Sequence, residues 1–218
     1  MSVRFDLLVF DWDGTVMDST AHIAQSIQAS CADLGLPVPS DEQARHIIGL
    51  GLHDAMRYLL PALPASEYSR LVERYRVHFL TANQQVKLFD GVMEGLERLD
   101  TRGFLLAVAT GKSRQGLDRS LADSGLAGRF HATRCADEGF PKPHPEMLEV
   151  LMDTLGVTPD RTLMIGDTTH DLEMAHNAGV SALAVAYGAH DSEKLLDARP
   201  LALAHSFHEL MAWLDRNA

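Results

Sequence analysis

The chain has 218 residues, 46% of them hydrophobic and 22% charged, and its formal net charge is -11. This is the composition of a globular protein with a sizeable core, and an acidic chain without a basic block is unsuited to following a nucleic-acid backbone. The longest apolar runs fall far short of the ~20 residues that a membrane-spanning helix needs, so we expect neither a nucleic-acid partner nor membrane association.

The first predicted element is a short buried strand. Residues 5–10 form a nearly continuous apolar run, which is typical of a central strand that is covered on both faces. Similar runs follow at residues 104–109, 162–165 and 181–186, with a weaker strand near residues 131–135. Segments with helical spacing separate these runs, so the alternation predicts a parallel sheet with crossover helices.

Residues 16–86 break this alternation, because they contain no convincing strand. Apolar residues recur there at helical spacing, in segments near 23–34, 41–48, 52–60 and 68–79. We therefore predict an α/β protein with an all-helical insert. Its core is a Rossmann-like parallel sheet formed by residues 1–15 and 87–218, and the insert occupies residues 16–86.

Polar residues follow the predicted strands. Asp11, Thr110 and Asp167 come directly after apolar runs, and Lys142 follows the weaker strand. Because the carboxyl ends of the strands line the ligand crevice of an open α/β sheet, we expect these four side chains to converge. One aspartate after a strand usually only begins a turn, but four such residues in this order are hard to explain as turns alone.

Four short segments at these positions resemble the complete motif set of the haloacid dehalogenase-like hydrolases. They are Asp11-Trp12-Asp13-Gly14-Thr15, Thr110-Gly111, Lys142-Pro143 and Gly166-Asp167-Thr168-Thr169-His170-Asp171. The resemblance runs over residues 3–188 and is closest to the phosphoglycolate-phosphatase-like and β-phosphoglucomutase-like members, in which a helical cap follows the first motif. It implies that residues 16–86 form a cap and that the protein is a phosphatase acting on small phosphorylated metabolites.

The resemblance also implies a covalent mechanism that depends on Mg²⁺. Asp11 would attack phosphorus and carry the phosphoryl group as an aspartyl-phosphate, and Asp13 would act first as the acid and then as the base. The family's metal ligands correspond to Asp11, the backbone carbonyl of Asp13, and Asp167. A metal is also expected on electrostatic grounds, because Asp11 and Asp167 would otherwise repel the phosphate dianion.

The remaining motif residues are expected to bind phosphate or to orient the groups that surround it. The Thr110 hydroxyl and the Gly111 amide would bind phosphate oxygens, and the Lys142 ammonium would neutralise the nucleophile and the transferring group. Asp171, one helical turn beyond Asp167, is expected to orient a metal-bound water or Lys142. Lys112 and Arg114 could add positive charge near the site, but a position on the surface is preferred for both. His144 and His170 lie within motifs at positions that are not expected to be essential.

Two other functions remain open. A β-phosphoglucomutase-like phosphotransferase uses nearly the same motifs, although Thr15 and the Ile-Gly-Leu-Gly-Leu segment at 48–52 favour the phosphatases. A non-enzymatic phospho-acceptor or binding module would also combine an aspartate, a threonine and a lysine after parallel strands, but such modules lack a helical insert. Among substrates, phosphoglycolate is the best single candidate, followed by sugar phosphates and pyrophosphate, and the cap is expected to set specificity.

The sequence constrains location and assembly less strongly. Residues 1–6 lack the basic-then-apolar pattern of a signal peptide. Cys31 and Cys135 form no CxxC pair and lie in different predicted elements, so we expect two reduced, mostly buried thiols. We expect a cytoplasmic protein that is a monomer or a homodimer.

Overall fold

The computed structural model describes residues 5–81 and 86–218. A six-stranded parallel sheet lies at its centre. In spatial order its strands are β5 (Ala132–Cys135), β4 (Leu105–Thr110), β1 (Leu7–Phe10), β6 (Thr162–Gly166), β7 (Ser181–Val185) and β8 (Leu203–Ala204). The predicted α/β fold with a parallel sheet is therefore confirmed.

The central strand is β1, which pairs with β4 on one side and with β6 on the other. Leu8 and Phe10 belong to the apolar core on one face of the sheet, and Leu7 and Val9 belong to the core on the other face. All four side chains are fully buried. This burial on both faces explains why the strand is a continuous apolar run rather than an alternating one.

Helices cover both faces of the sheet. One face is covered by α5 (Val92–Thr101), α6 (Arg114–Asp123) and α10 (Phe207–Asn217), and the other by α7 (Glu146–Leu155) and α8 (Thr169–Asn177). A shorter helix, α9 (Ser192–Asp197), packs against α8 and β8. The sheet is thus the middle layer of three, which leaves the carboxyl ends of its strands free to form a site.

The insert consists of α1 (Thr20–Asp33), α2 (Asp41–His46), α3 (Leu52–Leu59) and α4 (Tyr68–Thr81), with a 3₁₀ turn at Ala65–Glu67 before α4. These helices share an apolar cluster that is separate from the clusters of the sheet and takes in one residue of the α/β core, Ala189. Its buried members from the insert include Ile27, Cys31, Ile47, Met56 and Leu71. A separate apolar core is what an inserted cap requires. We therefore keep the division into a core and a cap at residues 16–86 as a proposal.

One short element contradicts the prediction of a strand-free insert. The strand β2 (Met17–Asp18) pairs antiparallel with β3 (Lys87–Leu88) where the chain leaves and re-enters the core. Two residues are too few to show an alternating pattern, so the sequence carries no signal for them. Two strand ends also differ from prediction: Thr110 is the last residue of β4, and Lys142 lies well beyond β5, in the segment before α7.

None of the helices in the described part of the chain has both the length and the apolar character that crossing a membrane requires. The two cysteines are buried and unpaired, as expected. Cys31 packs in the apolar cluster of the insert, and Cys135 packs in the core beneath α6.

Candidate active site

The carboxyl ends of β1, β4 and β6 lie side by side, and this edge of the sheet carries the predicted site residues. The last residue of β1 is in register with positions one or two residues before the ends of β4 and β6. Asp11 and Thr110 line a cavity of about 1140 Å³ that extends to residues of α1, α3 and α4. Asp167 follows β6 and is fully buried.

Lys142 places a buried positive charge in the middle of the site. Its Nζ lies 2.6 Å from Oδ1 of Asp11 and 2.6 Å from Oδ1 of Asp171. Burial by itself would lower the pKa of Lys142, but the charges of the two carboxylates outweigh burial and hold the pKa above its ordinary value. The ammonium is therefore charged and fixed between two aspartates, where it offsets the negative charge of Asp11.

Asp11, Asp167 and Asp171 each bring a carboxylate oxygen into one small volume, in which the three oxygens lie within 4.8 Å of one another. Asp167 accepts hydrogen bonds from the Thr15 hydroxyl at 2.8 Å and from the Ala189 amide at 2.7 Å. Oδ2 of Asp11 is buried and accepts no hydrogen bond from any residue that the structure describes. A buried carboxylate oxygen without a donor is costly, so this atom is available to a ligand.

Burial and the neighbouring negative charges both oppose ionisation of the carboxyl groups of Asp11 and Asp167. Burial above all, followed by the charges of Asp171 and Asp13, raises the pKa of Asp11 to about 7 against the opposing charge of Lys142. Burial and the charge of Asp11 likewise raise the pKa of Asp167. A divalent cation would relieve this opposition, and carboxylates are the hard oxygen ligands that suit Mg²⁺. The three buried carboxylates therefore fit the metal that the sequence resemblance implies.

Both oxygens of Asp171 already have partners. Oδ1 accepts from Lys142, and Oδ2 accepts from the backbone amide of Thr168 at 3.1 Å and from its hydroxyl at 2.7 Å. Thr168 is the N-cap of α8, so these bonds also fix the start of that helix. The geometry suits an orienting role toward Lys142, and that role stays a prediction.

Two side chains hold the carboxylate of Asp13. The Ser19 hydroxyl donates to it at 2.6 Å, and Nζ of Lys112 lies 3.0 Å from its Oδ2. The Lys112 side chain is only 14% exposed, and its ammonium lies 4.9 Å from the centre of the Phe79 ring on α4. The prediction that Lys112 is a surface residue is therefore wrong. Its position two residues after Thr110, in a loop at a strand's carboxyl end, was the signal that could have placed it in the site.

Arg114 differs from Lys112 in its contacts. It pairs with Asp118 on its own helix and with Glu138, and its side chain is one-third exposed. The Glu138 carboxylate is the chief reason that the pKa of Arg114 lies above its ordinary value. These partners and the partial exposure of the side chain agree with the preferred prediction that Arg114 lies on the surface.

Two glycines are required by close approach. At Gly14, φ is +91° and a Cβ would collide with the Asp167 carboxylate. At Gly111, a Cβ would lie 2.5 Å from the carbonyl oxygen of Leu50 and 2.6 Å from that of Gly49. The segment 47–51, which we call the cap loop, therefore rests directly on the predicted phosphate-binding loop.

Comparison with known proteins finds relatives along nearly the whole chain. The family model for the haloacid dehalogenase-like hydrolases matches residues 8–185. The probable phosphatase IndB of Dickeya dadantii is 36% identical over 212 residues, which cover 94% of this chain and 91% of that protein. A phosphoglycolate phosphatase of Aliivibrio fischeri is 31% identical over 218 residues, which cover 96% of each chain. The crystal structure of a predicted phosphoglycolate phosphatase from Haemophilus somnus aligns with a TM-score of 0.85 and 25% identity, over 98% of this chain and 99% of that one.

Proposed function

The chain belongs to the haloacid dehalogenase-like hydrolase family, and on that premise we propose that it is a phosphatase that hydrolyses small phosphomonoesters through an aspartyl-phosphate on Asp11. One observation carries the proposal. Asp11 lines the cavity, Lys142 holds its Oδ1, and its Oδ2 is left without a donor among the described residues. A carboxylate that is fixed by one oxygen and unpartnered at the other is arranged as an in-line nucleophile.

In the first step, Oδ2 of Asp11 forms a bond to phosphorus and the bond from phosphorus to the ester oxygen breaks. The departing oxygen takes a proton from the carboxyl group of Asp13, which yields the alcohol. Lys142 stays protonated throughout and stabilises the negative charge that builds up between the nucleophile and the transferring group. Its burial strengthens this effect, because little water screens the charge.

In the second step, water attacks phosphorus and Asp13, now a carboxylate, accepts the proton from that water. The bond between Oδ2 of Asp11 and phosphorus breaks, which regenerates the enzyme and releases inorganic phosphate. Ser19 and Lys112 hold the Asp13 carboxylate in place between the two steps. The hydroxyl of Thr110 and the amide of Gly111 bind the phosphate oxygens that do not react.

Mg²⁺ is the cofactor that we propose. Asp11, Asp167 and the backbone carbonyl of Asp13 would hold it, and the carboxylate cluster described above supports this assignment. When bound, the metal neutralises the charge of the phosphate and of its carboxylate neighbours.

Phosphoglycolate is the first substrate to test, because several relatives carry that activity in their names. The cavity of about 1140 Å³ exceeds what so small a molecule needs, so larger phosphorylated metabolites belong in the same panel. We propose that the cap residues lining the cavity select among them.

Release of inorganic phosphate from p-nitrophenyl phosphate and from a panel of phosphorylated metabolites tests the proposal. Asp11→Asn should reduce release to background, because an amide cannot serve as the nucleophile. Asp54→Asn makes the same change at an exposed carboxylate of the cap and should leave release from p-nitrophenyl phosphate nearly unchanged. Turnover by Asp11→Asn would contradict the assignment of the nucleophile.

Two other outcomes would support the alternative functions. Isomerisation of a sugar phosphate without release of phosphate would indicate a phosphotransferase. A protein that becomes phosphorylated once and does not turn over would indicate an acceptor module. Full activity after exhaustive chelation would contradict the role of Mg²⁺.

A further inference from the structure

Three histidines that the proposed mechanism does not use meet where the cap touches the core. His46 ends α2 in the cap, His170 lies in the first turn of α8, and His190 follows β7 in the core. Their ring centres are 5.2 to 5.6 Å apart. The sequence offers no sign of this cluster, because 124 and 144 positions separate His46 from its two partners.

The two core histidines share one acceptor in the cap. Nε2 of His170 lies 2.9 Å from the backbone carbonyl oxygen of His46, and Nε2 of His190 lies 3.0 Å from the same oxygen. A carbonyl oxygen can only accept, so both Nε2 atoms must carry the proton. The Thr169 amide donates to Nδ1 of His190 at 3.0 Å, which fixes that ring in the same tautomer.

The shared oxygen, the carbonyl oxygen of His46, lies where α2 ends and the cap loop begins. His46 is the last residue of α2, and the final carbonyls of a helix lack partners within the helix. The cap loop, residues 47–51, begins at the next residue. Within it, a Cβ at Gly49 would lie 3.1 Å from the Thr168 hydroxyl, and the loop carbonyls press on Gly111. A fixed end of α2 therefore also holds the cap loop in position against the predicted phosphate-binding loop at Gly111.

Another polar contact between the cap and the core is weaker. Lys194 pairs with Glu42 at 3.0 Å, but both side chains are largely exposed, and exposed ion pairs contribute little. His190, in contrast, is only 5% exposed, so water competes poorly for its hydrogen bond.

We propose that His170 and His190 are positioning residues that clamp the cap onto the core through the carbonyl of His46. Neither ring takes part in the proposed proton transfers. They act on substrate binding by holding the cap loop over the site, and only this kinetic consequence rests on the proposed function. The clamp itself is a statement about contacts between the cap and the core, which can be measured without a substrate.

Hydrogen–deuterium exchange of the amides at 44–50 tests the clamp directly. A typical hydrogen bond shifts an equilibrium by roughly 2- to 10-fold, so His170→Ala and His190→Ala should each speed this exchange by about that factor. The double variant should exchange faster than either. His144→Ala, an exposed histidine in the core near Lys142, is the control and should change nothing in this segment.

If an alanine variant fails to fold, glutamine variants and NMR of the wild-type protein still test the clamp. Glutamine retains an N–H donor near the position of Nε2, so His170→Gln and His190→Gln should restore much of the protection. In the wild-type protein, long-range ¹⁵N–¹H NMR should find both rings protonated at Nε2. Protonation at Nδ1 of either ring, or unchanged exchange in the double alanine variant, would overturn the proposal.

Kinetics provide the functional test. Loss of the clamp should raise KM for the preferred metabolite by roughly 2- to 10-fold for each bond removed, while kcat for p-nitrophenyl phosphate stays near its wild-type value. A loss of kcat with unchanged KM would contradict a positioning role. If the wild-type protein released no phosphate at all, the proposed function would fail while the exchange and NMR experiments would still decide on the clamp.

Discussion

Replacing Asp167 with asparagine is expected to stabilise the metal-free protein and to abolish its stabilisation by Mg²⁺. Asp167 is fully buried, and its carboxylate faces those of Asp11 and Asp171. Asparagine has nearly the same shape and removes one negative charge. Its oxygen can accept from the Ala189 amide, and its nitrogen can donate to the Thr15 hydroxyl, which can act as donor or acceptor. The change therefore affects charge much more than packing.

The expected size follows from the spacing of the oxygens. Two unit charges 4.8 Å apart repel by about 3.5 kcal/mol at an effective dielectric of 20. Lys142 already offsets part of this repulsion through Asp11 and Asp171, so we expect a net gain of about 2 kcal/mol in the free energy of unfolding. For a chain of this length, that gain raises Tm by about 4–8 °C.

The effect should depend on pH with a defined sign. The folded-state pKa of Asp167 is raised, so the folded protein binds this proton more tightly than the unfolded chain does. The stability of the metal-free wild-type protein should therefore fall as pH rises above about 4, the ordinary pKa of an aspartate in an unfolded chain, and Asp167→Asn should show a shallower fall. The difference in Tm between the two proteins should therefore increase as pH rises and the buried carboxylates ionise.

Thermal unfolding with and without Mg²⁺ provides the measurement. A ligand at about 100 times its Kd stabilises a protein by about 2.7 kcal/mol, so wild-type Tm should rise by about 5–11 °C when Mg²⁺ is added. Asp167→Asn should show almost no rise, whereas the exposed control Asp54→Asn should behave like the wild type in both conditions. A lower metal-free Tm for Asp167→Asn, or a full Mg²⁺ shift, would refute this account of the cluster.

Three further outcomes are expected. Asp13→Asn, given p-nitrophenyl phosphate and Mg²⁺, should release a burst of about one equivalent of p-nitrophenol and then nearly stop, because only the second step still needs the base. Intact mass should show one phosphoryl group on Asp11, and steady turnover without a burst would contradict this. Lys142→Met should abolish phosphate release and lower the unfolding free energy by about 3–5 kcal/mol, since it leaves buried carboxylates unpaired; a change below about 1 kcal/mol would contradict the pairing. Gly111→Ala should impair metabolite hydrolysis, because its methyl group would meet backbone oxygens of the cap, whereas Gly116→Ala, inside α6, should preserve hydrolysis and raise Tm slightly. Equal kinetics for the two glycine variants would argue against contact between the cap and Gly111.

The sequence by itself determined the core of the fold and the edge at which the site forms. A strand buried on both faces must be apolar along its whole length, so the run ending at Phe10 was recognisable without any partner. Parallel strands present their carboxyl ends at one edge, so Asp11, Thr110 and Asp167 could be expected together before their distances were known. Both the apolar run and the position of a polar residue directly after it are local properties of the chain. The chemical roles of Asp11, Thr110 and Asp167 remain predictions.

Only the tertiary structure decided which side chains share a partner across distant segments. The packing of α4 over the loop after β4 places Lys112 between Asp13 and Phe79, and no periodicity marks that contact. The pairing of Met17 with Leu88 likewise involves too few residues to show a pattern.

The clamp formed by His170 and His190 shows most clearly why the sequence alone does not reveal such contacts. Its acceptor is the backbone carbonyl of His46, a group that every residue has, so no residue type at that position could reveal the contact. Its position depends on how the separate apolar cluster of the cap docks on the core. That docking depends on how the shapes of two folded surfaces fit together, and the spacing of residues along the sequence does not predict it.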